Sequence, residues 1–390
     1  SRGLGDVYKR QPESTYRTYL SGLGLAVNLL FDRIPAKADP LGPDNVLGVV
    51  SGLLTGTGSL FAGRWMVAGK SPLTGTWGDA NCGGNLSPAI KRCGYDGIFF
   101  YGVSDKPVYF CIDRGKAVFR DAGRFWGQDT IETERLLKKE PGCKNARVAC
   151  IGPAGEKLSL ISGIANDGGR MAARSGLGAV MGSKQLKAVV LNGARRIVSH
   201  HKDQIKAISS KCNESIQFMP PFPPAFMLTH MGTVLRALPA QPRTEAIFLN
   251  TIYKIMLKRW GTTSLKQLLI EFGDSPIKNW KGSNEDFGPE KSNRLNPDVF
   301  SERVFVKYHC YACPLGCGGL YTQPGTLEAV HKPEYETVLA LGGLCMNDDP
   351  DSIFQMNDQL NRAGMDTISA GGVVAEKLSR ISPITITSGS

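Results

Sequence analysis

No stretch of the 390 residues approaches the roughly 20 consecutive apolar residues that a membrane-spanning helix requires. The chain also lacks a basic run with interleaved aromatic residues, the pattern typical of a nucleic-acid surface, although its formal net charge is +11. No signal-peptide pattern and no internal repeat stand out. We therefore expect a cytoplasmic protein with no membrane and no nucleic-acid partner, whose basic surface could attract an acidic partner protein.

The ten cysteines are too sparse for the disulfide framework of a secreted protein. Seven of them stand singly, and three form a C-x2-C-x3-C cluster made of Cys310, Cys313 and Cys317. Thiolates at these spacings, in a loop shaped by proline and glycine, can all bind one iron–sulfur cluster. On spacing alone, two alternatives stay open. One is a zinc site with Cys345 or His309 as the fourth ligand, and the other is a chance group of buried thiols.

Hydrophobic periodicity predicts a β-rich domain followed by a mainly helical domain, which is an α+β fold class. Short strands separated by glycine turns are predicted at Val46–Ser51, Trp65–Gly69, Gly97–Gly102, Pro107–Asp113, Val148–Gly152 and Leu186–Asn192. One helix is predicted over 19–34, and another is predicted to begin after an N-cap at Asp129. Further helices are predicted at 203–216, 226–238, 246–259, 263–272, 334–342 and 350–363. We predict domains at 12–198 and 199–390, and we treat residues 1–11 as foreign or disordered because they fit no period.

Three glycine-rich segments of the β domain could present main-chain amides to phosphate groups. They are KSPLTG at 70–75, DANCGG at 79–84 and NDGGRMAARSGLG at 166–178. The third also carries Arg170 and Arg174, whose guanidinium forks suit phosphates. Each segment alone could be a tight surface turn, but the three together favour a phosphate-bearing cofactor. Glu336 in the sequence PEYET could be an acid or base beside a metal, although a solvated first turn of a helix is the better interpretation on local grounds.

Many segments resemble, in order, the aldehyde ferredoxin oxidoreductase family of tungstopterin enzymes. The shared motifs include DPLGPDNVL, GRWMVAGKSPLTG, GDANCGG, NDGGRMAARSGLGAVMGSKQLKAVV, CYACPLGCG, PEYET and GMDTISAGG. The resemblance implies a β domain as the base for two pterins, followed by two helical domains. It implies tungsten or molybdenum held by pterin sulfurs, a magnesium ion between pterin phosphates, and a 4Fe–4S cluster that passes electrons to ferredoxin. The implied reaction oxidises aldehydes to carboxylates.

The same resemblance implies the functional residues. Arg64 is expected between the cluster and the pterin, and Glu336 becomes the expected catalytic acid or base. Magnesium is expected on main-chain oxygens of Asn81 and Met171. The cluster ligands are Cys310, Cys313 and Cys317, and the other cofactor-binding residues are Gly83, Arg170, Ala173, Arg174, Asn361, Met365 and Asp366.

The chain departs from the family pattern at several points. The pterin motif D-x-x-G-L-D reads NRAGMD at 361–366, so Asn361 replaces a charged residue. The E-x-x-H that binds a mononuclear metal at the dimer interface of some members reads QMND at 355–358, so we expect no such metal, while a homodimer stays compatible. We do not expect Cys345 to be the fourth cluster ligand, because the family takes that cysteine, and a catalytic histidine, from a third domain.

We expect that third domain to be missing here and these 390 residues alone to be inactive. One alternative function is reduction of an activated acid or thioester on the same scaffold, within a larger electron-transfer complex. Another is a zinc-stabilised, non-catalytic binding protein.

Overall fold

The computed structural model describes residues 10–217, 221, 253–266, 269–270, 273–322 and 328–380. They form two compact units. Unit 1 contains Ser1–Phe218, Tyr308–Gly316 and Asp358–Asp366, and unit 2 contains Met219–Lys307, Cys317–Asn357 and Thr367–Ser390. Unit 1 thus includes two short segments from the second half of the chain. The predicted domains, 12–198 and 199–390, are each continuous in sequence. The order of strands and helices agrees with the predicted α+β class.

Unit 1 is built on two β-sheets. The strands of the first are β1 (Leu47–Ser51), β2 (Trp65–Lys70), β3 (Trp77–Cys82) and β4 (Gly97–Phe100), in the order β3-β2-β1-β4. Those of the second are β5 (Val108–Asp113), β6 (Lys116–Asp121), β7 (Arg147–Cys150), β8 (Ile164–Asn166), β9 (Arg170–Ala172) and β10 (Leu186–Asn192), in the order β6-β5-β10-β7-β8-β9. All six predicted strands are present, and the prediction lacks β3, β6, β8 and β9.

Several helices of unit 1, among them Leu23–Phe31, Leu86–Cys93 and Leu177–Ser183, pack on these sheets. The helices of this unit span Glu13–Tyr19, Leu23–Phe31, Leu86–Cys93, Thr130–Leu137, Pro153–Glu156, Leu177–Ser183 and Lys202–Gln217. The helix predicted over 19–34 is observed only over Leu23–Phe31. It cannot begin at residue 19, because Leu20 and Gly22 take positive φ values of 60° and 63° and interrupt the helical backbone. The predicted N-cap is confirmed, since the carboxylate of Asp129 accepts a hydrogen bond from the amide of Glu132 at 2.8 Å.

One buried cluster contains side chains from both sheets together with two of these helices. Trp65 of β2 and Val189 of β10 lie in it, as do Leu86 and Leu177 from the helices. Each of these side chains is at most 1% exposed. Burying such a side chain contributes roughly 1.5–3 kcal/mol, so this core fixes the sheet edges from which the glycine turns project.

Unit 2 is mainly helical, with one small three-stranded sheet. Its helices are found at residues 253–260 and at Pro289–Arg294, Pro297–Glu302, Tyr335–Leu341, Pro350–Ala363 and Thr367–Arg380, the fifth of which continues into unit 1. Its sheet contains β11 (Val304–Tyr308), β12 (Gly318–Thr322) and β13 (Ala329–His331), which the sequence did not predict. The helices predicted at 334–342 and 350–363 are confirmed, whereas 226–238 lies outside the described residues. In the described part of the chain, no helix has both the length and the apolar character needed to cross a membrane.

Candidate cofactor-binding site

The end of the β2–β3 hairpin places Arg64 beside Asn81. Antiparallel pairing sets Trp65 opposite Cys82 and Met66 opposite Asn81. The guanidinium of Arg64 donates to the side-chain oxygen of Asn81 at 2.5 Å and to its main-chain oxygen at 3.4 Å. Both residues are exposed, so this positive charge and the asparagine lie at an accessible rim of unit 1.

The turn between β8 and β9 is bound to the glycine turn that follows β3. The buried side chain of Asn166 donates to the carbonyl of Gly83 at 3.3 Å and accepts from the thiol of Cys82 at 3.1 Å. The carboxylate of Asp167 accepts from the amide of Asn85 at 2.6 Å. Two of the predicted phosphate-binding segments therefore form one rigid edge.

Glycine is required at the tip of the β8–β9 turn. Gly168 and Gly169 have φ values of 75° and 128°, a backbone region that other residues rarely adopt. The amide of Gly168 donates to the carboxylate of Glu134 at 2.7 Å, so a helix on the far side of the turn supports it. Neither Glu134 nor Asp167 has a sequence signal that predicts this role, beyond the turn-forming Asn-Asp-Gly-Gly run itself.

The first part of the cysteine loop packs on the same edge. The amide of Tyr311 donates to the carbonyl of Gly84 at 3.0 Å, and the amide of Phe61 donates to the carbonyl of Ala312 at 2.8 Å. Within the loop, the His309 ring lies 2.8 Å from the carbonyl of Cys313. The sulfurs of Cys310 and Cys313 belong to half-buried residues. Cys317 follows in unit 2, directly before β12.

Arg170 connects the cysteine loop to the glycine turns. Its guanidinium donates to the sulfur of Cys310 at 2.8 Å and stacks over the ring of Tyr308 at 4.3 Å. Burial disfavours the charged form, but the Tyr308 and Cys310 groups raise the pKa of Arg170 above its ordinary value. Gly83 completes the contact, because a Cβ atom there would lie 2.5 Å from the Cys310 sulfur. A half-buried cation thus lies directly against a predicted cluster ligand.

The segment 361–366 lies in unit 1, against the loop that carries Arg174. The amide of Asp366 donates to the carbonyl of Ile161 at 2.9 Å, and Met365 bridges to Ser162. The carboxylate of Asp366 is buried and accepts from the guanidinium of Arg174 at 2.5 Å. Asn361 is also buried, and its main-chain oxygen accepts from Thr130 at 2.8 Å. The structure therefore brings Arg174 together with the predicted pterin motif. Met171, in β9, and Ala173, directly before Arg174, are both half-buried.

Glu336 lies in unit 2, in the first turn of the helix Tyr335–Leu341, and is half-buried. Burial, assisted by the neighbouring Glu336 carboxylate, raises the pKa of Tyr335 to about 12. Glu334 accepts a hydrogen bond from the hydroxyl of Thr262, which fixes the start of the helix. Glu336 is therefore not a fully solvated residue, as the local sequence alone had favoured, and it interacts with the side chain of Tyr335.

The described residues are expected to contain no metal site built from protein side chains other than the cysteine loop. In that part of the chain, no group of three or more histidine, cysteine, aspartate or glutamate side chains converges as a site for a metal ion. The thiol of Cys345 donates to the carbonyls of Ala340 and Gly371 at 3.3 and 3.4 Å. Asp358, in the stretch where no mononuclear metal is expected, accepts from Arg362 at 2.9 Å.

Comparison with known protein families shows which family the sequence of this chain matches. Residues 5–193 match the N-terminal domain of aldehyde ferredoxin oxidoreductase, and residues 244–378 match its domains 2 and 3. The chain belongs to the aldehyde ferredoxin oxidoreductase family. The first match begins at residue 5, within the segment 1–11 that fits no predicted period.

Individual relatives agree with this family assignment. The chain is 36% identical over 363 residues to the tungsten-containing aldehyde ferredoxin oxidoreductase of Thermococcus kodakarensis and 35% identical over 373 residues to that of Pyrococcus furiosus. These alignments cover 93% and 95% of the chain but 54% and 56% of the relatives, so the chain spans about half the length of the curated relatives it matches. A more distant relative, 26% identical over 384 residues (93% of this chain and 55% of the relative), is an aliphatic sulfonate oxidoreductase WOR-like subunit of Pyrococcus furiosus.

A solved structure is similar as well. The active site complex BamBC of benzoyl coenzyme A reductase, in complex with 1,5-dienoyl-CoA, aligns with a TM-score of 0.73 and 28% identity. The alignment covers 94% of this chain and 52% of that chain. The fold is therefore shared with an enzyme whose name describes a different reaction from aldehyde oxidation.

The residues of unit 1 fit the pterin cofactor of the aldehyde ferredoxin oxidoreductase family. Arg64 and Arg174 are exposed residues whose guanidinium groups suit phosphates, and the glycine turns offer main-chain amides as further donors. The soft thiol of Cys310, next to a cation, suits an iron–sulfur cluster. The individual contacts of Asn81, Gly83, Met171, Ala173, Asn361 and Met365 with a pterin or with magnesium remain predictions.

Proposed function

We propose that the protein to which this chain belongs oxidises aldehydes to carboxylates at a bis-pterin tungsten or molybdenum centre, and transfers the electrons through a 4Fe–4S cluster to ferredoxin. The overall reaction consumes the aldehyde and water and gives the carboxylate, two electrons and three protons. Family membership supports the oxidoreductase class.

The observation that carries the proposal is the hydrogen bond between Arg170 and Cys310. A residue predicted to bind the pterin phosphates and a residue predicted to ligate the cluster are in direct contact. Both pack against Gly83, which has no room for a side chain. Such a contact is expected where two charged redox groups must be held side by side in a low-dielectric interior.

Each part of the site has a proposed task. Arg64, Arg170 and Arg174 bind anionic phosphate and cofactor charge, and the glycine turns donate main-chain hydrogen bonds. Cys310, Cys313 and Cys317 bind the cluster. When bound, the metal–pterin group supplies a Lewis-acidic centre that accepts two electrons and releases them singly.

Glu336 is the proposed group that takes up and releases a proton during the reaction. It is a half-buried carboxylate in the first turn of a helix, a side chain of the kind that can serve as a general base.

The test is aldehyde-dependent reduction of a viologen dye by the anaerobically purified whole protein to which this chain belongs. Wild-type protein is expected to reduce the dye with a small aldehyde and not with the matching alcohol. Glu336→Gln keeps the shape of the side chain and removes its charge, and is expected to lower the rate at least ~100-fold, since general acid–base groups contribute about 10²–10⁴-fold. Glu302→Gln, at the end of another helix of unit 2, is the control. Wild-type rates in Glu336→Gln would refute the role.

A second candidate function is reduction of an activated acid or thioester on the same scaffold. The similarity to a benzoyl coenzyme A reductase complex favours this second function. That enzyme shares the fold, and its name gives a coenzyme A thioester as the substrate. Substrate-dependent oxidation of reduced viologen by a thioester, without any activity toward aldehydes, would identify this function.

Four further parts of the proposal depend on the family. Ferredoxin is the proposed electron acceptor, magnesium the proposed ion between the pterin phosphates, and the cytoplasm the proposed compartment, while a homodimer is the proposed assembly. The inactivity of these 390 residues on their own stays a prediction. The zinc-bound, non-catalytic alternative predicts zinc in place of iron and tungsten.

A further inference from the structure

We propose that Lys332 is a buried positioning cation for the iron–sulfur cluster, which stabilises the negative charge at Cys317 and so raises the reduction potential of the cluster. The inference rests on the proposed function, because it requires that Cys317 bind a cluster. It concerns a residue to which neither the sequence motifs nor the mechanism gives a role.

The small sheet of unit 2 sets the position of Lys332. β12 begins one residue after Cys317, and it pairs with β13 so that Leu320 lies opposite His331. The pairing continues for one more residue, because the amide of Lys332 donates to the carbonyl of Gly319 at 2.8 Å. Lys332 is therefore held at the end of β12 that carries Cys317.

A second contact restricts the main chain at Cys317. Gly261 has a φ of 72°, and a Cβ atom there would lie 2.3 Å from the carbonyl oxygen of Cys317. The next residue, Thr262, donates from its hydroxyl to the carboxylate of Glu334, two residues after Lys332. Cys317, Lys332 and Glu334 thus belong to one tightly packed group with fixed main chains.

The side chain of Lys332 is buried, with 5% of its surface exposed, and its ammonium donates to the carbonyl of Pro333 at 3.1 Å. Burial lowers the pKa of Lys332, while the nearby charges of Glu334 and Cys317 raise it. A buried lysine is unfavourable unless negative charge compensates it. A cluster-bound thiolate supplies such charge permanently, and a reduced cluster carries one further negative charge that a nearby cation stabilises.

The test is a redox titration of the cluster, followed by its electron paramagnetic resonance signal, in wild-type protein and in Lys332→Met. Removing one buried charge is expected to lower the ratio of reduced to oxidised cluster about tenfold at a fixed potential. This corresponds to a midpoint about 59 mV lower for a one-electron couple. Lys332→Gln removes the charge but can still donate to the carbonyl of Pro333, so it replaces the methionine variant if that one does not fold.

Lys266→Met is the matched control. Lys266 is a fully buried lysine of the same unit, its ammonium lies 3.4 Å from the carbonyl of Ser292, and burial alone lowers its pKa. It therefore imposes a similar change on folding without a nearby thiolate. The cluster in Lys266→Met is expected to keep the wild-type midpoint potential. Lys332→Arg retains the positive charge, so its cluster is also expected to have a midpoint close to that of wild type.

The outcomes separate this inference from the proposed function. A cluster signal in wild-type protein with an unchanged midpoint in Lys332→Met and Lys332→Gln would overturn the inference alone. An equal shift in Lys266→Met would also overturn it, because the effect would then follow from burial in general. Wild-type protein without any iron–sulfur cluster would overturn the proposed function, and the inference with it.

Discussion

Replacing Gly83 by alanine is expected to separate the cysteine loop from the β-sheet edge. Gly83 is buried in the turn that follows β3. The added Cβ would lie 2.5 Å from the sulfur of Cys310 and 3.0 Å from a guanidinium nitrogen of Arg170. Because both neighbours are held by the 2.8 Å hydrogen bond between them, neither can move without weakening the contact on which the site depends.

The size of the effect follows from this overlap. Non-bonded heavy atoms prefer separations of about 3.5–4.0 Å, so the sulfur of Cys310 must retreat by roughly 1 Å. Forcing one extra carbon into a packed interior typically costs about 1–3 kcal/mol. For a unit of about 150–250 residues, each kcal/mol lowers the thermal midpoint by roughly 2–4 °C. We therefore expect a moderate loss of stability and a large loss of bound cluster, because displacement of the ligand affects binding directly.

The assay measures iron and tungsten per chain together with the thermal midpoint. Gly83→Ala is expected to retain less than half of the wild-type iron. Gly372→Ala is the control, because no atom lies within 4 Å of its added Cβ and the position is inside the helix Thr367–Arg380. Alanine is favoured over glycine in a helix by about 1 kcal/mol, so the control should be at least as stable as wild type. Wild-type metal content in Gly83→Ala would refute the proposed packing.

Three further predictions concern stability and reactivity. Asn166→Ala leaves a buried carbonyl and thiol without partners and should lower the free energy of unfolding by about 1–3 kcal/mol, measured by denaturant titration; an unchanged value would contradict it. In native protein, exposed Cys212 should react with iodoacetamide before Cys82 and Cys150, because burial raises the pKa of each of the latter two to about 12; mass spectrometry after brief labelling tests this order. Burial lowers the pKa of Lys184 to about 8 from 10.5, so between these values the unfolded chain binds more protons than the folded one. The thermal midpoint of wild type relative to Lys184→Met should therefore rise between pH 8 and pH 10.5, and a constant or falling difference would contradict the lowered pKa of Lys184.

Local sequence patterns predict the elements that local interactions stabilise. The apolar strands β1, β2, β5 and β10 and the Asp129-capped helix are of this kind, since alternation and capping act within a few residues. The strands that the prediction lacks are short or polar. For example, β8 and β9 have three residues each and exist because their turn is bound to another turn far away in sequence.

The candidate site shows the same distinction. The spacing of Cys310 and Cys313, and the glycines at 168–169, are visible in the sequence. The contact of Arg170 with Cys310, across 140 positions, is not, because it depends on how sheets and loops pack. The pairing of Arg174 with Asp366, across 192 positions, is equally a product of tertiary structure. Sequence patterns therefore name the chemical groups, and packing decides which of them meet.

Metal analysis of the anaerobically purified protein, combined with electron paramagnetic resonance after reduction by dithionite, tests the central claim most directly. The account predicts iron together with tungsten or molybdenum, and the signal of a reduced iron–sulfur cluster that Cys310→Ser weakens or abolishes. Bound zinc without iron, tungsten or molybdenum would contradict it.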